Sequence, residues 1–152
     1  MRILAIGKAV KTAPEMALFA RYAARIRPAL GITEFPDGHG GAVEIKRRES
    51  LALLAALTAQ DFAVALDAGG KLADSLELAR LLTKWLETGR RLTFLIGGAE
   101  GLDAAVIARA DAILSFGRLT WPHMLMRPML AEQIYRAQMI TAGHPYHRAG
   151  RP

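Results

Sequence analysis

The sequence predicts an α/β domain: a mostly parallel sheet flanked by helices. Two observations carry this reading. Short apolar runs suited to buried strands alternate with longer stretches of helical period, from Arg2 to about Thr141. No internal repeat, low-complexity tract or linker divides the 152 residues, a length that suits one domain, 1–152, with a sizeable core.

The elements follow in order. "RILAIG" reads as a short buried strand ending at Gly7. A basic residue before an apolar stretch imitates a signal peptide, but the run is too short and Lys8 and Lys11 follow at once. A helix starts at about Pro14, a residue suited to a first turn, with Met16, Phe19, Ala20, Ala23 and Ile26 at helical spacing. Ile32 to Phe35 form a brief strand, and a Gly/Pro/Asp loop follows it. Residues 44–58 are an amphipathic helix with Lys46, Arg47 and Arg48 near its start.

"FAVALD" is the next strand, with "AGGK" as its exit loop. Ser75 caps a helix through Leu78, Leu81, Leu82, Trp85 and Leu86 that stops at Gly89. "LTFLI" is a fourth strand, "LDAAVIARA" a short helix and "AILSF" a fifth strand. The loop "GRLTWPH" then leads into a last helix through about Thr141. In open parallel sheets ligands bind beyond the C-terminal strand ends. Leu66–Gly70, Gly97–Gly101 and Phe116–Trp121 are therefore the candidate pocket.

Composition narrows the chemistry. There is no cysteine, which excludes disulfides, thiolate nucleophiles and Cys-based zinc sites; no metal site is expected. No run of about 18 apolar residues predicts a membrane span, and a cytoplasmic location is expected. The net charge of +6 favours phosphate backbones or anionic membranes as partners. From Arg118 onward the bases Arg118, Arg127, Arg136, Arg148 and Arg151 are opposed only by Glu132. The C-terminal quarter is thus the expected polyanion-facing region.

The glycines do not match G-x-G-x-x-G, and no Walker Gly-Lys-Ser/Thr follows them, which disfavours dinucleotides and triphosphates. Gly97, Gly98 and Gly101 either let backbone approach a flat ligand such as adenine or simply make a tight turn. In "LTWPHMLMR", Thr120 and Pro122 are suited to starting a helix. His123 is a catalytic base or a first-turn residue, and Trp121 stacks on a base or fills the core, with core the default. Met124, Met126, Met129 and Met139 read as core or interface. Pro128 falls inside the last helix, which must start later or bend there.

Several ordered blocks together are far more specific than the glycines. They are "AIGK" at 5–8, "LD" at 66–67 with "GK" at 70–71, "LIGGAEGL" at 95–102 and "LSFGRLTWPHMLMRPMLAEQIYRAQMITAGHPYHR" from Leu114. In these blocks the chain resembles, end to end, the bacterial RlmH family of SPOUT methyltransferases. The resemblance implies a SPOUT fold with a C-terminal trefoil knot within about 92–145. It implies transfer of a methyl group from S-adenosyl-L-methionine to N3 of a pseudouridine in 23S rRNA of the assembled ribosome. Carried over by position, the cofactor residues are Leu66, Gly97, Phe116, Gly117, Arg118, Leu119, Thr120 and Trp121.

The family also implies a homodimer in which each active site borrows from the partner. Ile134, Ala137 and Ile140 are the residues offered to that interface, and "HPYHR" is the segment reaching the substrate side. The N3–H proton must leave for methylation, which suits a neutral histidine as acceptor or an arginine beside the anion. The candidates are His147 and Arg148, with Tyr146 positioning the base and His123 the second choice. Rival readings are a non-catalytic RNA-binding module and a methyltransferase with another RNA acceptor. Pro128, where the family pattern has an aliphatic residue, and the extended ending "RAGRP" depart from it.

Overall fold

A computed structural model describes residues 1–10 and 12–148. Arg151 and the ending after Arg148 lie outside the described residues, as does Lys11. The element order is β1 (Arg2–Ile6), α1 (Pro14–Ala23), β2 (Gly31–Phe35), α2 (Ala42–Ala56), β3 (Asp61–Leu72), α3 (Ser75–Leu86), β4 (Arg91–Ile96), α4 (Ala104–Arg109), β5 (Ala112–Ser115) and α5 (His123–Thr141). The strands form one sheet in the order β2-β1-β4-β3-β5, and every pairing is parallel. The expected α/β class and all ten elements are present.

Alternation along each strand explains the layers. Ile3, Ala5, Val64, Leu92, Phe94, Ile96 and Leu114 face a core completed by Phe19 of α1, Leu82 and Trp85 of α3, and Leu130 and Ile134 of α5. Leu4, Ile6, Ala63, Ala65 and Leu95 face the other way, toward Leu53 of α2 and Val106 of α4. With both faces covered, the strands read as continuous apolar runs.

Four local expectations are corrected. β3 does not end before "AGGK" but continues to Leu72, with a break in its pairing to β5 between Leu66 and Lys71. Gly70 permits this, because a Cβ there would lie 2.7 Å from the carbonyl carbon of Ile113. The cap of α3 is Asp74 rather than Ser75: Asp74 accepts the Glu77 N–H at 2.7 Å, and the Glu77 carboxylate accepts the Asp74 N–H at 3.1 Å. Thr120 does not cap α5, whose N-cap is Pro122; its carbonyl accepts the N–H groups of Leu125 and Met126. Finally, Ile134 and Ala137 are each 1% exposed within a single protomer, so they belong to its core and not to an interface.

Pro128 lies in the interior of α5, buried, and the helix runs through it. Its missing N–H leaves the Met124 carbonyl without its helical donor.

The N-terminal edge of the sheet is held by one carboxylate. The Asp61 side chain is fully buried at the start of β3. It accepts from Arg2 at 2.9 Å, from Arg91 at 2.7 and 3.0 Å, and from the Thr93 hydroxyl at 2.7 Å. The N–H and hydroxyl of Thr58 add bonds of 2.8 and 2.9 Å. Burial pushes this carboxyl up, but the bonds from Arg91, Thr93 and Thr58 outweigh it and hold Asp61 far below the usual carboxylate range. Asp61→Ala should cost about 3 kcal/mol at neutral pH, the low end for breaking a buried pair because Arg91 stays half-exposed. The lowered folded value makes this stabilisation complete above the unfolded value of about 4 and lost as pH falls through the folded one. Denaturant titrations of both proteins at neutral and acid pH check this; a gap that stays constant on acidification would contradict it.

Candidate functional site

At the opposite edge the middle of β3 and the exits of β4 and β5 converge on one cavity of about 530 Å³. The β4 exit is a glycine turn closed by a bridge between Gly98 and Gly101, whose N–H donates to the Gly98 carbonyl at 3.1 Å. Gly101 has φ +74°, and a Cβ on Gly97 would stand 2.9 Å from the Gly101 carbonyl carbon. Both positions therefore require glycine for the turn itself.

The β5 exit is built on Ser115, whose Oγ accepts the Gly117 N–H at 3.2 Å. Gly117 has φ +109°, and the Trp121 indole N–H donates to the Phe116 carbonyl at 3.3 Å. This folds residues 116–121 over the opening, with Leu119 70% exposed and Trp121 38% exposed. Trp121 is thus a cavity wall and not core. From β3, Leu66, Asp67 and Ala68 complete the lining, inside the strand and not beyond it.

All eight predicted cofactor residues line this one cavity: Leu66, Gly97, Phe116, Gly117, Arg118, Leu119, Thr120 and Trp121. His123 joins them from the first turn of α5. Its Nε2 lies 2.7 Å from where a Cβ on Gly7 would stand, and Gly7 itself has φ +88°.

One turn along, Arg127 fastens α5 to the exit of β1. Its side chain is fully buried and donates to Glu34 Oε1 at 2.5 Å and to the carbonyls of Ile6 and Gly7 at 2.8 and 2.5 Å. Burial pushes the guanidinium down, while the Glu34 and Asp37 carboxylates favour its charged form. Arg127 is therefore a structural cation and not part of a polyanion-facing surface. Arg136 is likewise engaged, with Glu132 at 2.5 Å. Local pattern gave no sign of this use, because the partners are far away in sequence.

The tail lies elsewhere. The Tyr146 hydroxyl donates to Glu132 Oε1 at 3.0 Å, and its ring meets Tyr135 edge-on. Burial, with hydrogen bonds to Tyr22 and Glu132, pushes the phenol up, so Tyr146 is a neutral donor and no general base. The Nδ1 of His147 is buried without a partner among the described residues, and Arg148 is exposed. Tyr146, His147 and Arg148 do not line the cavity within their own protomer. Among the described residues no cluster of acidic or histidine side chains is arranged to hold a metal.

The sequence that builds this cavity has known relatives. The chain matches the family described as "Predicted SPOUT methyltransferase" over residues 1–147. It is 57% identical over 152 residues to Ribosomal RNA large subunit methyltransferase H of Gluconacetobacter diazotrophicus, covering all of this chain and 99% of the relative. The protein of that name from Acidiphilium cryptum is 58% identical, over 100% and 96% of the two chains. The chain belongs to the RlmH family of SPOUT methyltransferases. In this RlmH family member the glycine turn is the most demanding part of the cavity. Gly97→Ala should lower stability by about 1–3 kcal/mol through overpacking against Gly101, read as a shift of the denaturation midpoint. An unchanged midpoint would mean that the turn opens at no cost.

Proposed function

We propose that the protein transfers a methyl group from S-adenosylmethionine to N3 of a pseudouridine in 23S rRNA of the assembled ribosome. The observation that carries this is the convergence of Leu66, Gly97 and residues 116–121 on one cavity, in a chain whose full-length relatives carry the rRNA methyltransferase name. The cavity fits a cofactor of that size, within the range of about 300–1,000 Å³ for small-molecule sites. Its glycine turn leaves backbone exposed where a Cβ has no room. S-adenosylmethionine, when bound, supplies an electrophilic methyl group on a sulfonium sulfur. Leu66, Gly97 and residues 116–121, which line the cavity, would hold it.

Forming the N–C bond would break the sulfonium S–CH3 bond, leaving a neutral thioether, and the acceptor's N3 proton must depart. His147 takes it, Arg148 stabilises the nitrogen anion and Tyr146 positions the base. His123, already on the cavity wall, is the second choice as acceptor. Because the tail lies away from its own cavity, it serves the cavity of a second copy, and the enzyme works as a homodimer. The same reading takes residues 92–145 as the knotted segment and places the protein in the cytoplasm with its ribosomal substrate.

The test is methyl transfer from labelled S-adenosylmethionine to ribosomes lacking the modification, followed by nucleoside mass spectrometry. N3-methylpseudouridine should form. His147→Ala and Arg148→Ala should each lower the rate by about 100-fold or more while leaving cofactor binding intact. Cofactor binding with no transfer would point to another acceptor, and absence of both would leave an RNA-binding module.

A further inference from the structure

With Arg127 and Arg136 committed to Glu34 and Glu132, the C-terminal quarter offers less free positive charge than its composition predicts. Another group of bases stands at the same edge as the cavity. Lys8 is exposed just past the exit of β1, and the loop 36–41 leaves β2 beside it. α2 then presents Lys46, Arg47 and Arg48, with the two arginine side chains 57% and 59% exposed.

These arginines are ordered by a single carboxylate. Arg47 donates through Nε and Nη2 to the two Glu44 oxygens, both at 3.0 Å, and Arg48 donates through Nε to Oε1 at 2.5 Å. Hydrogen bonds from Arg47 and Arg48 hold the Glu44 carboxyl down to about 2, so it is ionised at neutral pH. Two guanidiniums on one carboxylate leave a net positive charge. Nη1 of Arg47 and Nη2 of Arg48 are not used in these bonds. Such pre-oriented forks suit phosphate oxygens.

Glu49 connects this run to the cavity. It is 4% exposed, and its Oε1 accepts the Gly38 N–H at 2.8 Å. Its Oε2 lies 2.6 Å from where a Cβ on Gly98 would stand, and Gly98 lines the cavity. Arg48 is thus the immediate chain neighbour of a residue packed against the glycine turn.

We propose that Lys8, Lys46, Arg47 and Arg48 form a docking surface for the phosphates of the RNA strand beside the target nucleotide. The proposal rests on the acceptor being an RNA base, as argued above. The test compares Arg47→Glu/Arg48→Glu with Arg80→Glu/Lys84→Glu, an equal charge change on exposed positions of α3. Ribosome binding is measured against salt, and turnover beside it. The first variant should raise KM for ribosomes about 10-fold, with kcat and cofactor affinity unchanged. It should also flatten the log–log salt slope by about 2 relative to the control. A variant that matches the control overturns the proposal. So does weakened binding with an unchanged salt slope, which would assign the surface to a protein contact. If the unaltered enzyme transfers no methyl group while the slope difference persists, the acceptor reading falls and the docking surface stands.

Discussion

Five strands running in one direction impose the plan of this molecule. Parallel neighbours cannot be joined by tight turns, so each connection must cross the sheet, and the helices that make the crossings bury both of its faces. Every strand then leaves by the same edge. The glycine turn after β4, the Ser115–Gly117 fold after β5, the β1 exit under His123 and the basic start of α2 are brought together by this constraint. The relevant side chains come from stretches of sequence far apart, and the shared edge is what makes them neighbours.

The two edges have different work. At the N-terminal edge, Asp61 binds the first residues of β1 and β4, while Arg90 donates to Asp111 at 2.7 Å just before β5. These bonds secure strand register without touching the cavity. At the C-terminal edge the buried cation is Arg127, and its partners are backbone carbonyls beside the site as much as the Glu34 carboxylate. At one edge ion pairs tie strand ends together, while at the other a buried cation places the groups around the cavity.

Much of this was legible in the sequence because burial on both faces writes each strand as an apolar run, and helices announce themselves by period. Two loops of the pocket, after β4 and after β5, were legible for the same reason: each interrupts an apolar run with glycine or polar residues. What escaped depended on distant partners. "AGGK" has the composition of a loop, yet it continues β3 because Gly70 lets backbone press against Ile113. Arg127 looks like any surface base until Glu34, Ile6 and Gly7 are folded around it. Ile134 and Ala137 have the spacing of an interface stripe, but α1 and α3 cover that side of α5 within the protomer. The resemblance supplied the cofactor residues by position, and the fold assembled them.

The bond between Arg127 and the Ile6 carbonyl spans 121 residues of chain. Synthesis delivers the N-terminal strands first, and contacts of such separation close late. A nascent chain therefore carries the residues of the glycine turn before those of the helix that walls the cavity. The cavity gains its last wall only when α5 docks. Until α5 folds back onto the exit of β1, the cavity lacks the wall that His123 and Met126 supply.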